Sequence, residues 1–126
     1  RGCQGPLPEG AVRAVLAQVA AGLAYMHAHG LAHLDVRPGS IFWAERPRGE
    51  GGRETVYKLG GFGLVTVGEA PDHVKTADKR YLSPELAAGD YSHLPAADVY
   101  ALGLTALELS QAHPLPAGRG QQPLPP

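Results

Sequence analysis

Cysteine is nearly absent: Cys3 is the single one in 126 residues, so no disulfide closes within the chain and no cysteine-built zinc site is possible. That usage is compatible with a reducing compartment. Charge is sparse as well. Asp, Glu, Lys and Arg make up 18 % of the residues and the net charge is −1. Such a balance offers no electrostatic attraction to nucleic acid or to an anionic membrane, so neither is expected as a partner. No uninterrupted apolar run approaches the roughly eighteen residues of a membrane span. The start Arg1-Gly2-Cys3 has no signal-type apolar run, and its lack of an initiator Met suggests a piece of a longer protein.

Glycine (17) and proline (12) are over-represented and gather at both ends and in one internal stretch. They frame a small folded centre, one domain at most. Residues 1–8 read as linker. From Glu9 to about His29, Val12, Val15, Leu16, Val19, Leu23 and Met26 recur at three- and four-residue steps, which predicts a helix closed by Gly30. Leu31 to Ser40 reads as a loop turning at Pro38-Gly39. Ile41–Ala44 and Thr55–Leu59 read as two strands of a hairpin, and Arg/Gly/Glu-rich Glu45–Glu54 as an exposed, flexible ten-residue loop between them. Gly68 to Lys79 is polar and irregular. Ser83–Ala88 suits a short helix with Pro84 at its first position. Ala96–Ser110 reads as a helix apolar almost all round, which belongs inside a larger body. Residues 112–126 hold five prolines and read as a disordered tail. The expected fold is α+β, mainly α, with one small β-hairpin.

Two stretches carry chemistry. One is His33-Leu34-Asp35-Val36-Arg37-Pro38-Gly39-Ser40-Ile41-Phe42 and the other Gly60-Gly61-Phe62-Gly63. Alone, a histidine near an aspartate at a helix exit is most often a hydrogen-bonded turn. The order changes its meaning: helix, His-x-Asp, strand, loop, strand, Gly-Phe-Gly, polar loop, Ser83-Pro84-Glu85, then an apolar helix holding Asp98. That series resembles the protein kinases, whose catalytic loop reads His-Arg-Asp-x-Lys-x-x-Asn and whose metal-binding loop reads Asp-Phe-Gly. The catalytic loop, with no Arg between His33 and Asp35, and the run Tyr91–Thr105 are similar to the Wee family of mitotic-inhibitor kinases. So are the hairpin, Tyr57-Lys58-Leu59-Gly60 and Pro114-Leu115-Pro116. The resemblance spans residues 10–116 and implies part of the helical C-terminal lobe, residues 9–111, without the nucleotide-gripping upstream lobe.

By position, the resemblance makes Asp35 the residue that accepts or orients the substrate hydroxyl proton and Arg37 the counter-charge to the transferring phosphate, in place of a lysine. His33, Phe62, Gly63 and Asp98 are implied as structural ties. Glu85 is implied as an anchor of the activation segment, or else is a solvated first-turn acid. Ser40 and Gly61 stand where the family has the Asn and Asp that hold magnesium. Implied cofactors are therefore ATP and magnesium, with binding by this chain weakened. The implied partner is a cyclin-dependent kinase, phosphorylated on tyrosine to delay mitosis, and the implied location is the nucleus. Alternatives are a pseudokinase binding module and a nonfunctional truncated product. A gene-model artefact would also explain Ser40 and Gly61. Six histidines raise a metal site, but His27 and His29 leave the helix on different sides and no His-Glu-x-x-His spacing occurs. Tyr81, near the end of the activation segment, is a minor candidate for phosphorylation, a core or surface role being the commoner fate.

Overall fold

A computed structural model describes residues 6–62, 66–67 and 78–111. Helix α1 spans Glu9–Ala28. The Pro8 carbonyl accepts the amides of Ala11 and Val12 at 3.0 and 3.1 Å, closing its first turn. Gly30, with φ +77°, stops it: its amide returns to the His27 carbonyl at 3.0 Å. Val15, Val19 and Leu23, four residues apart, form the buried stripe. The segment expected as linker is tied down, since the Leu7 amide donates to the Leu109 carbonyl at 2.8 Å.

Strand β1 (Leu31–Ala32) pairs antiparallel with β4 (Thr66–Val67), so the stretch expected as plain loop contributes to a small sheet. A 3-10 turn at Pro38–Ser40 leads into β2 (Ile41–Arg48), which pairs antiparallel with β3 (Gly52–Leu59) from Ile41↔Leu59 to Arg48↔Gly52. This corrects the expected ten-residue flexible loop. Only Gly49-Glu50-Gly51 turns, and the φ values of +63° and +73° at Gly49 and Gly51 explain the glycines there. The rest of that polar stretch is strand, held by cross-strand ion pairs Arg46–Glu54 (2.5 Å) and Arg53–Glu45 (3.1 Å). Pro47 is tolerated because the ribbon has only two strands and an open edge. Gln18 Oε1 of α1 accepts the Tyr57 amide at 2.7 Å and fixes the ribbon against the helix.

A second 3-10 turn, Lys79–Tyr81, precedes helix α2 (Pro84–Ala87) and then helix α3 (Leu94–Leu109). The core forms where α1 meets α3: Val15, Val19 and Leu23 pack with Val36, Tyr81, Ala101 and Leu102. A smaller cluster of Ala32, Leu86, Leu94 and Ala97 sits under the catalytic-loop stretch. The result is α+β with helix dominant. By length and mean hydropathy (20 residues, 1.2) α1 meets the criteria for a membrane span, which no unbroken apolar run had suggested; its apolar stripe is occupied by α3 and the hairpin. The opposite face of α3 leaves Val99, Tyr100 and Leu107 exposed. The expected tail, residues 112–126, lies outside the described residues, as do residues 1–5 and most of the polar stretch after Gly68.

Candidate active site

The site is organised by one buried carboxylate. Asp98, on the first half of α3, is 1 % exposed. It accepts the backbone amides of His33 (2.8 Å, Oδ2) and Leu34 (2.8 Å, Oδ1), and the Nε2–H of His27 (2.8 Å, Oδ2). Leu34 has φ +65°, the one positive value at a non-glycine residue among the described residues. A side chain in that region is strained, and the Asp98 carboxylate holds it there by its own amide. This bend leads directly into Asp35, whose side chain is 17 % exposed and lines the same pocket as Asp98.

His33 is wholly buried. Its Nδ1 accepts the Asp35 amide at 3.1 Å, so the ring proton sits on Nε2 and donates to the Gly60 carbonyl at 2.6 Å. One ring therefore joins the catalytic-loop stretch to the Gly-Phe-Gly stretch. Phe62 presents its edge to the same ring, with centroids 5.4 Å apart, yet remains more than half exposed. The candidate ties His33, Phe62 and Asp98 thus form a contiguous set. Gly63 lies outside the described residues. Glu85, in the first turn of α2, has no side-chain hydrogen bond or ion pair among the described residues; its backbone carbonyl accepts the Asp90 amide at 2.8 Å.

Asp35 and Arg37 pair with each other: Arg37 Nε donates to Asp35 Oδ1 at 2.9 Å. Ser40 is buried, and its hydroxyl donates to the Asp35 carbonyl at 2.5 Å while its own carbonyl accepts the Gly60 amide at 2.7 Å. Gly61 has φ +68°, and a Cβ placed on it would lie 2.9 Å from Ser40 Oγ. The two positions that the resemblance matches to metal ligands therefore face each other, one without a side chain and the other with its hydroxyl engaged. Magnesium takes hard oxygen ligands in near-octahedral geometry. Among the described residues no three His, Cys, Asp or Glu side chains gather in a way that could hold a metal ion. The donor set at Ser40 and Gly61 does not fit magnesium.

Three features went unread in the sequence. His27, weighed only as a metal ligand, bonds Asp98 instead. Asp78 and Arg80 form a two-pronged pair, Nε–Oδ1 3.0 Å and Nη2–Oδ2 2.5 Å, in which Arg80 is buried. Burial pushes the Asp78 carboxyl up, but the side-chain and backbone hydrogen bonds from Arg80 outweigh it and leave it below the usual carboxylate value. The only hint was Asp at the start of a short turn. Third, the Tyr81 hydroxyl donates to Glu108 of α3, and the residue is 5 % exposed. Tyr81 is a core residue, which corrects its candidacy for phosphorylation. A cavity of about 20 Å³ lies between Asp35, Asp78, Ser83 and Asp98; the Ser83 hydroxyl and Arg80 Nη1 are both buried without a partner among the described residues.

This arrangement has a family. Residues 3–124 match the protein kinase domain. The chain belongs to the protein kinase domain family. Kinase domains use ATP and magnesium, and the Wee-like members are the ones this chain resembles in sequence. It is 43 % identical over 118 residues to Wee1-like protein kinase 2 of Danio rerio, covering 83 % of this chain and 22 % of that protein. It is 38 % identical over 122 residues to Wee1-like protein kinase 2 of Gallus gallus, covering 86 % and 21 %. A plant relative, the Wee1-like protein kinase of Oryza sativa subsp. japonica, is 36 % identical over 111 residues, covering 88 % and 20 %. The chain thus spans about a fifth of the length of these relatives. In fold it is similar to the Rad53 kinase domain in its crystal structure with SCD2, with a TM-score of 0.65, 23 % identity, and coverage of 88 % of this chain and 35 % of that one. It is a Wee-family kinase segment from the C-terminal lobe.

Proposed function

We propose that this chain is the catalytic-loop part of a Wee-like protein kinase in which phosphoryl transfer is impaired. The reading of its parent activity follows the Wee-family resemblance of the catalytic-loop and Tyr91–Thr105 sequences: transfer of the ATP γ-phosphate to a tyrosine of a cyclin-dependent kinase, in the nucleus, restraining entry into mitosis. In this reading Asp35 takes or orients the acceptor hydroxyl proton and Arg37 neutralises a phosphoryl oxygen, roles supported by their places in the catalytic-loop motif. The observation that carries the impairment is the closed contact between Ser40 and Gly61: one hydroxyl already bonded to the Asp35 carbonyl, and no side chain opposite it. Phosphoryl transfer depends on charge neutralisation, and losing about 4 kcal/mol of it slows the step roughly a thousandfold.

The test is transfer of radiolabelled phosphate from magnesium-ATP to a tyrosine peptide of a cyclin-dependent kinase. No transfer above background is expected. Transfer that Asp35→Asn abolishes would refute the impairment. A second reading, a pseudokinase module that binds the partner without catalysis, is favoured by the intact His33–Asp98–Phe62 framework around the degenerate pair. Calorimetric titration with a cyclin-dependent kinase separates the two, since only the binding module requires saturable association. Imaging of the tagged protein tests the nuclear location.

A further inference from the structure

We infer that Gly39 is a positioning residue: by leaving the space beside its α-carbon empty, it seats the Arg37 guanidinium against Asp35 and so keeps the candidate catalytic carboxylate in an ion pair. This rests on the reading of Asp35 given above and concerns the geometry of its side chain, independent of the metal positions. Arginine carries a larger, planar head than the lysine of the family pattern, so the head needs room. Gly39 supplies it. A Cβ built on Gly39 would fall inside contact distance of Arg37 Nη1 and at 3.4 Å from Arg37 Cζ, and among the described residues no other heavy atom outside the chain neighbours Pro38 and Ser40 comes within 4 Å. The backbone does not ask for glycine there, because Gly39 is not among the positive-φ glycines. Among the described residues beyond its chain neighbours, the volume a side chain would take at residue 39 is claimed by the guanidinium.

The consequence falls on Asp35. Its Oδ1 receives Arg37 Nε at 2.9 Å, and the pair is partly sheltered, with 17 % and 29 % of the two side chains exposed. The Ser40 hydroxyl and the His33 ring hold the backbone of Asp35 from the other side, at its carbonyl (2.5 Å) and amide (3.1 Å). The carboxylate therefore has little freedom to leave Arg37 unless the guanidinium itself moves. A side chain at residue 39 moves it. The clash falls on the flexible end of an arginine and not on backbone, so the fold tolerates the change while the ion pair does not.

The experiment follows the Arg37 Nε–Hε signal by nitrogen-15 NMR in the chain. Gly39→Ala is expected to speed hydrogen exchange at Hε about fivefold to tenfold, the scale of a sheltered ion pair. Asp35→Asn should do the same, and the double change should add nothing. The His33 Nε2–H signal, bonded to the Gly60 carbonyl, should persist in all three and report an intact loop. An Hε exchange rate in Gly39→Ala within twofold of the unchanged chain would overturn the inference. A second arm uses the thermal midpoint. Gly39→Ala should lower it when residue 37 is arginine and leave it unchanged in the Arg37→Lys background; an equal drop in both backgrounds would show that residue 39 does not act through the guanidinium. Neither arm uses nucleotide or metal. Magnesium-dependent phosphate transfer by the chain would remove the impaired reading and leave the Gly39–Arg37 coupling standing.

Discussion

Asp98→Ala is the change that should damage this protein most for its size. The carboxylate is 1 % exposed and is the acceptor for two backbone amides and one histidine ring. Truncation leaves the buried His33 and half-buried Leu34 N–H groups without their acceptor, each at a penalty of about 1–3 kcal/mol. It also removes what holds Leu34 at φ +65°, a conformation that costs about 1–2 kcal/mol for a side-chain-bearing residue. His27 is partly solvated and loses little. The expected loss is about 4 kcal/mol, a large share of the roughly 5–15 kcal/mol of a typical domain. Asp98→Asn keeps one acceptor oxygen but turns an NH₂ toward one of the donors, and should lose about 2 kcal/mol. Urea denaturation at low protein concentration, with a shared slope, gives the difference. Amide exchange at Leu34 reports the site itself and should accelerate ahead of the amides of Val15 and Val19 in α1. A loss under about 1 kcal/mol for Asp98→Ala, or unchanged protection at Leu34, would refute the claim that this carboxylate holds the loop.

Other outcomes follow from neighbouring features. Burial, then the Glu108 hydrogen bond, push the Tyr81 phenol well above its usual value, so its folded form holds the proton more tightly. Its contribution to stability is complete below pH ~10 and declines as pH rises beyond that; an alkaline titration followed by circular dichroism should show this, and Tyr81→Phe should flatten it. Asp78 has the opposite sign: its lowered carboxyl contributes above pH ~4 and the contribution fades on acidification, a limb that Asp78→Asn should remove in acid denaturation. Exposed Val99, Tyr100 and Leu107 on one face of α3 should drive association. Sedimentation velocity should show concentration-dependent growth that Val99→Lys with Leu107→Lys suppresses, whereas a monodisperse unchanged chain would contradict it. Gly61→Asp alone should cost about 1 kcal/mol, because its Cβ meets Ser40 Oγ at 2.9 Å and φ is +68°. Joined with Ser40→Asn, in a protein supplied with an upstream lobe, it should restore magnesium-dependent nucleotide binding by calorimetry. Equal affinity and magnesium dependence without the changes would show that neither position is a lesion.

Local periodicity and punctuation were enough to locate the helices. Val15, Val19 and Leu23 repeat at the pitch of a helix, so α1 could be read to within a residue of its observed bounds, and Gly30 and Pro84 marked an end and a start by their own backbone limits. The ordered motifs likewise carried the family, because His33, Asp35, Phe62 and Asp98 keep their places along the chain. Strand pairing was only half legible. Glu45–Glu54 has no apolar alternation, since both faces of the ribbon meet solvent, and its Glu45–Arg53 and Arg46–Glu54 pairs become partners only once the register is set. The same holds at the site. His27 and Asp98 stand 71 residues apart in the chain, and no local pattern joins them; the packing of α1 on α3 does. Residue types at positions 40 and 61 carried the expectation, from the resemblance, of missing metal ligands. That Ser40 and Gly61 touch, that the Ser40 hydroxyl is already bonded, and that Gly39 makes room for Arg37 were decided by the tertiary fold, because each depends on distances between atoms that chain order alone leaves open.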